Sequence, residues 1–215
     1  MLSKVKGLGI IGLDAFEVEV ETDIGSGLPK FEIVGLPDAA VKESRERVRS
    51  AIKNSGKRFP SGVVTINLAP ADIRKEGVYL DLPIAVGIIK ASSDVIKNEI
   101  DDYVFIGELS LDGNLRPVNG IMPLLISASL SGAKKFIIPY GNRKEAEYVG
   151  DAEVYACKSL NEVLGHISGA ATVERVESSP YVPAEDKDFC DDLKYVKGQA
   201  AAKRALEVAV SGGHN

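Results

Sequence analysis

Apolar and acidic residues alternate near the start of the chain, where Phe16, Val18 and Val20 interleave with Glu17, Glu19 and Glu21. A period of two is the mark of a strand that rests one face on a core. The same pattern runs through Leu8 to Ile11 and, after the turn Gly25-Ser26-Gly27-Leu28-Pro29, through Lys30 to Val34. About three strands are therefore expected before the period changes. From Asp38 to about Ser55 it becomes helical, with Asp38 as N-cap behind Pro37, a stripe of Val41, Val48 and Ile52, and Gly56 as the stop. Val63 to Leu68 is a β-branched strand, and Asp81 to Ala91 reads as a helix buried all round. Next come strand Tyr103–Ile106 and a hairpin about Asp112-Gly113, the pair that a two-residue turn favours. A helix from Gly120 to Ser131 packs through Ile121, Leu124, Leu125 and Ala128. Strands Lys135–Ile138 and Glu153–Ala156 bracket a short helix, and Asn142 with Glu145 and Ser159 with Glu162 have capping-box spacing. The expected fold is α/β, an α+β two-layer arrangement of a mixed sheet with packed helices.

Composition narrows the class. A chain of 215 residues with 45% apolar residues can bury one sizeable core. No window reaches the roughly 18 apolar residues of a membrane span, and the first residues run into a strand pattern, so the expected compartment is the cytoplasm, with no membrane partner. Two cysteines, Cys157 and Cys190, and two histidines, His166 and His214, show neither CxxC nor HxxxH spacing. Neither a zinc site nor a disulfide framework is expected, and Cys157 reads as a buried strand residue. The net charge of −5 is concentrated between Ala170 and Leu193, a stretch that also holds Ser178-Ser179-Pro180 and Pro183. We read 170–193 as an acidic linker that divides a domain at 1–169 from a further segment at 194–215.

Candidate chemistry is sparse. The Gly-Ser-Gly turn is not a phosphate loop, because GxxxxGK(S/T) occurs nowhere in the chain. Asp101 and Asp102 are adjacent, and adjacent side chains diverge, which is weak support for a metal. Ser127 and Ser131, one helical turn apart, are the only sign of a nucleophile. On the helix after Asp38, at roughly 100° per residue, Lys42, Arg45, Arg49 and Lys53 share a sector about 80° wide beside the apolar stripe. Such a ridge suits phosphate or subunit contact, and equally a solvated face relieved by Glu43 and Glu46.

The stretch Leu68 to Pro83 resembles the nucleophile loop of Lon-type proteases, in which Lys-Asp-Gly-Pro-Ser-Ala-Gly hands a catalytic Ser to a following helix. Laid on Lys75-Glu76-Gly77-Val78-Tyr79-Leu80-Asp81, the Ser position holds Tyr79. Gly107 to Gly113 and Arg116-Pro117-Val118-Asn119-Gly120-Ile121 resemble the Lon hairpin that precedes the catalytic Lys, whose position holds Leu124. The resemblance thus implies a Lon-like fold, shared with a ribosomal-protein domain, that lacks its dyad. Tyr79 is expected as a buried hydrogen-bond handle, since a phenol with a pKa near 10 is a poor nucleophile without a base.

Gly35 to Arg49, Asn67 to Gly77 and Gly107 to Val118 together resemble the N-terminal domain of the ComM/YifB family of magnesium-chelatase-like AAA+ ATPases. Val196 to Glu207 resembles that family's lead into the AAA+ module, and Ser211 to Asn215 its approach to Walker A. The resemblance implies a fragment of a larger hexameric motor, with its own AAA+ module and neighbouring subunits as partners. DNA is a possible further partner, through branch migration in recombination and transformation. ATP and Mg2+ are expected in the full-length protein and no cofactor in the fragment. Lys42, Arg45, Arg49 and Lys53, with Arg74 and Lys75 on the former nucleophile loop, are the candidate DNA contacts. A regulatory module for a protein partner and a peptidase with a relocated nucleophile are the alternatives.

Overall fold

The computed structural model describes residues 2–12, 14–92, 96, 100–180 and 193–214. The chain divides into two units, Met1–Pro180 and Tyr181–Asn215. In the first, the expected alternation yields β1 (Leu2–Ile11), β2 (Asp14–Gly25) and β3 (Lys30–Val34). Val18 and Val20 are fully buried, and the glutamates between them face outward to pair with Lys4 and Lys6 across the strand. Helix α1 (Ala39–Asn54) begins at Asp38, whose Oδ1 accepts the Val41 N–H at 2.7 Å. Then follow β4 (Val63–Ala69), α2 (Asp81–Ser92) and β5 (Tyr103–Phe105). The short β6 (Glu108–Leu109) and β7 (Leu115–Arg116) precede α3 (Ile121–Leu130) and β8 (Lys135–Pro139). A short α4 (Arg143–Ala146), β9 (Glu153–Cys157) and α5 (Leu160–Ser168) complete the unit.

Among the described residues, seven strands form one mixed sheet in the order β3-β4-β2-β1-β5-β8-β9. Its centre is antiparallel, β1 with β2 and β2 with β4, and both flanks are parallel. Two apolar clusters result. The larger joins α1, α2 and α5 to residues of the sheet, and the smaller joins α3 to Val104, Phe136, Ile138 and Val154. Helix α2 is buried on nearly every side because it is packed against both β1 and β2 as well as α1.

Three local expectations are corrected. The hairpin at Asp112-Gly113 has a three-residue loop, since Ser110 N–H bonds the Asn114 carbonyl and Gly113 N–H the Ser110 carbonyl at 2.9 Å each. Gly113 takes φ +86°, the left-handed position of a turn followed by a bulge. Asn142 makes no cap. Its amide instead grips Val118, accepting that N–H at 3.0 Å and donating to its carbonyl at 2.8 Å, with a second N–H to Glu145 at 2.7 Å. The first part of the acidic stretch, although mostly exposed, is tethered to the domain rather than free of it. Val176 is buried, its N–H bonds the Val154 carbonyl at 2.8 Å, and Ser179 N–H bonds the Glu147 carbonyl at 2.8 Å. Positions 181–192, with Cys190, lie outside the described residues.

The Ser159–Glu162 box forms in part, its return bond reaching one residue ahead of the cap. Ser159 Oγ accepts the Glu162 N–H at 3.3 Å, and the Glu162 carboxylate accepts from Lys158 N–H at 2.7 Å. Cys157 is buried, which pushes its thiol up to about 12 and makes it an inert core residue. The second unit is described by α6 (Ala200–Ser211), an amphipathic helix with no buried residue that exposes Leu206, Val208 and Val210. No helix of the described residues is long and apolar enough to cross a membrane.

Candidate functional site

The loop between β4 and α2 is bolted to the turn ahead of α1. Lys75 N–H donates to the Leu36 carbonyl at 3.1 Å, Asp38 N–H to the Lys75 carbonyl at 3.0 Å, and Gly77 N–H to Asp38 Oδ2 at 3.2 Å. Asp38 therefore caps α1 with one oxygen and holds the loop with the other. The close approach requires Gly35, because a Cβ there would overlap the Leu68 carbonyl.

Lys75 corrects the expected DNA surface. Its side chain is 0% exposed and its ammonium donates inward to the Pro70 and Ile73 carbonyls, so it ties the loop to itself and no phosphate can reach it. Desolvation lowers its pKa, offset by the nearby Asp72. Arg74 remains exposed and meets Glu76 at 3.4 Å, a surface pair of little energetic consequence.

The positions of the Lon dyad both belong to the smaller apolar cluster. Leu124 is wholly buried there beside Ile121 and Leu125, and Tyr79 packs against the same cluster. Tyr79 is half-buried rather than buried, and its hydroxyl donates to the Asn119 carbonyl at 3.4 Å. Among the described residues no base is hydrogen-bonded to it: Lys75 is occupied with carbonyls and Leu124 is aliphatic. Ser127 is also committed, since its Oγ accepts the Ala15 N–H at 2.9 Å, and Ser131 Oγ donates to the Ser127 carbonyl at 3.1 Å. Asp101 and Asp102 diverge to separate lysines, Lys90 at 3.2 Å and Lys135 at 3.9 Å. Among the described residues no cluster of three or more His, Cys, Asp or Glu could hold a metal ion.

The four cations of α1 differ in what they can offer. Lys42 and Lys53 are exposed, with no side-chain partner among the described residues. Arg45 is exposed but anchored, its Nε donating to the Lys42 carbonyl at 3.1 Å and Nη1 to the Phe31 carbonyl at 3.3 Å. Arg49 lies over the Phe59 ring, 5.0 Å from its centroid, and its Nε is buried without a hydrogen-bond partner. It contributes a cation–π contact and packing, with its charge only partly presented to solvent.

Sequence reasoning missed the strongest polar contact. Arg47, on the opposite flank of α1, meets the carboxylate of Asp81 at the start of α2, and Asp81 also accepts the Leu109 N–H at 3.2 Å. The legible signal was a single Asp heading an otherwise apolar helix, a charge that burial would oblige to find a partner.

A family model described as subunit ChlI of Mg-chelatase matches residues 20–142, more than half of the chain, and the chain belongs to that family. Its homologues include YifB of Escherichia coli (strain K12), 40% identical over 214 residues, covering 100% of this chain and 42% of that protein. Competence protein ComM of Haemophilus influenzae is 39% identical over 209 residues, 95% of this chain and 40% of that protein. Lon protease 2 of Bacillus subtilis is 31% identical over 182 residues, 76% of this chain and 32% of that protein. The chain thus spans about two-fifths of the length of its ComM and YifB relatives.

Proposed function

We propose that this chain is the noncatalytic N-terminal part of a magnesium-chelatase-like AAA+ motor, and that its α1 ridge contacts DNA when the motor remodels branched recombination intermediates. The observation that carries the DNA contact is the exposed flank of Lys42, Arg45 and Lys53, where two of the three ammonium and guanidinium groups have no competing side-chain partner among the described residues. Such cations release counterions from a phosphate backbone, and a hexameric ring would repeat them around its axis. ATP hydrolysis, with Mg2+, belongs on this reading to the AAA+ module of the full-length protein. The test is charge reversal of Lys42→Glu with Lys53→Glu in the full-length protein. DNA affinity should fall and its salt dependence flatten while ring assembly persists. Loss of assembly with unchanged affinity per ring would transfer these residues to a subunit interface.

A second reading, a module that binds a protein partner or a neighbouring subunit, rests on α3. Met122, Ile126 and Leu130 stand one turn apart and all are exposed, Leu130 by 85%. Ile126→Glu would then impair assembly or partner recruitment without altering DNA affinity.

A further inference from the structure

Where β2 ends and β4 begins, a cavity of about 750 Å³ lies between the end of β2, the loop 56–62 that follows α1, and the last turn of α2. Small-molecule clefts occupy roughly 300–1,000 Å³, so the space suits a compact ligand. Its accessible apolar lining includes Ile24 and Pro60, both half-buried, and its polar lining includes Lys57, Arg58 and the hydroxyl residues Ser26 and Ser61. No carboxylate is among the described residues that line it, and neither Lys57 nor Arg58 has a side-chain partner among the described residues.

Near the end of α1 the carbonyls of Ala51, Ile52 and Lys53 accept the N–H groups of Ser55, Lys57 and Gly56. The wall is main chain, because the loop at Gly62 approaches the Gly25 carbonyl too closely for any Cβ. Two cations without a side-chain partner among the described residues match the charge of about −2 on a phosphomonoester at neutral pH, and a guanidinium can engage two of its oxygens at once. An apolar floor beside them favours a phosphate that carries a flat, weakly solvated body.

We propose that this cavity binds a phosphorylated nucleoside unit, its base against Ile24 and Pro60 and its phosphate on Lys57 and Arg58. The site is separate from any nucleotide site of an AAA+ module and does not depend on the α1 ridge touching DNA. Calorimetric titration of the 215-residue chain with thymidine, thymidine 5′-monophosphate and 5′-phosphorylated tetrathymidylate at low salt tests it. At least one phosphorylated probe should bind, and thymidine should bind roughly tenfold more weakly or worse. Binding of the monophosphate identifies a free nucleotide as a sufficient ligand, and binding of the oligonucleotide alone identifies a strand. Lys57→Gln with Arg58→Gln should weaken binding at least roughly tenfold, and Ser61→Trp should do so by filling the cavity with the charges intact. Thermal melts of both variants, matched to wild type, establish that they are folded. Absence of binding by both phosphorylated probes, equal binding of thymidine, or wild-type affinity in either variant would overturn the proposal.

Discussion

Arg47 grips Asp81 with two nitrogens, Nε to Oδ2 at 2.7 Å and Nη2 to Oδ1 at 3.0 Å, and so ties α1 to the first turn of α2. Asp81 is 1% exposed, and burial pushes its carboxyl up to about 6 against the opposing pull of the guanidinium. A folded-state value above the unfolded one means that the native state holds the proton more tightly. The contribution of Asp81 is therefore complete below the unfolded value of 3.8 and is lost as pH rises through about 6. Arg47→Met strands the carboxylate in the core. Its cost should be largest above pH 6, at about 3–5 kcal/mol, and smaller near pH 5, where Asp81 can take up a proton. Urea melts at the two pH values check this, and an equal cost at both would contradict it.

His166 provides a slope of opposite sign. Val173 N–H donates to its Nδ1 at 3.2 Å, which leaves the proton of the neutral ring on Nε2, and burial lowers its pKa below 6.5. The ring packs at a tilt of 42° against Tyr155, centroids 4.3 Å apart, and meets Tyr103 edge-on, so no carboxylate among these neighbours rewards protonation. With a depressed folded pKa, its stabilisation is present above the unfolded value and is lost as pH falls below about 6.5. Amide exchange at Val173, divided by its base-catalysed intrinsic rate, should accelerate as pH falls from about 7 to 5 in the wild type. In His166→Leu the acceleration should vanish, and persistence of the same pH dependence there would assign it to another group.

Lys75→Met removes the donor that serves the Pro70 and Ile73 carbonyls. Leaving buried carbonyls unsatisfied should cost about 1–3 kcal/mol and raise amide exchange along the loop. Because the native ammonium faces inward, the salt slope of DNA binding should not change. A flatter slope in a folded Lys75→Met protein would restore this residue to the DNA surface.

Peptidase activity should be absent. The wild-type chain should leave casein intact and should not label with a fluorophosphonate serine probe, because Ser127 is spent on Ala15 and Tyr79 has no base. Reinstating the dyad should also be costly. Leu124→Lys would place an ammonium inside the apolar cluster and should lower stability by several kcal/mol, as a melting curve would record.

Local periodicity was enough for most of the frame. The alternation of Phe16, Val18 and Val20 with glutamates, the Asp38 cap, the Val41-Val48-Ile52 stripe and the Ser159–Glu162 box report interactions within a strand or a helical turn, which neighbouring residues settle among themselves. The candidate site was only half legible for the same reason. Periodicity placed Lys42, Arg45, Arg49 and Lys53 on one flank, but the partners that separate Arg49 from Lys42 come from elsewhere, as Phe59 does. Lys75 read as one more surface cation. It is buried because the loop folds over its ammonium once Leu36 and Asp38 take the backbone of the loop. Asn142 had cap spacing, but the buried backbone of Val118, 24 positions away, outcompetes the helix end for its amide. Arg47 and Asp81 are 34 positions apart, and nothing local joins them. Short-range propensity determined the elements of this protein; the choice of partner for each buried charge and amide was made by tertiary packing, because only the assembled core removes the water that would otherwise satisfy them.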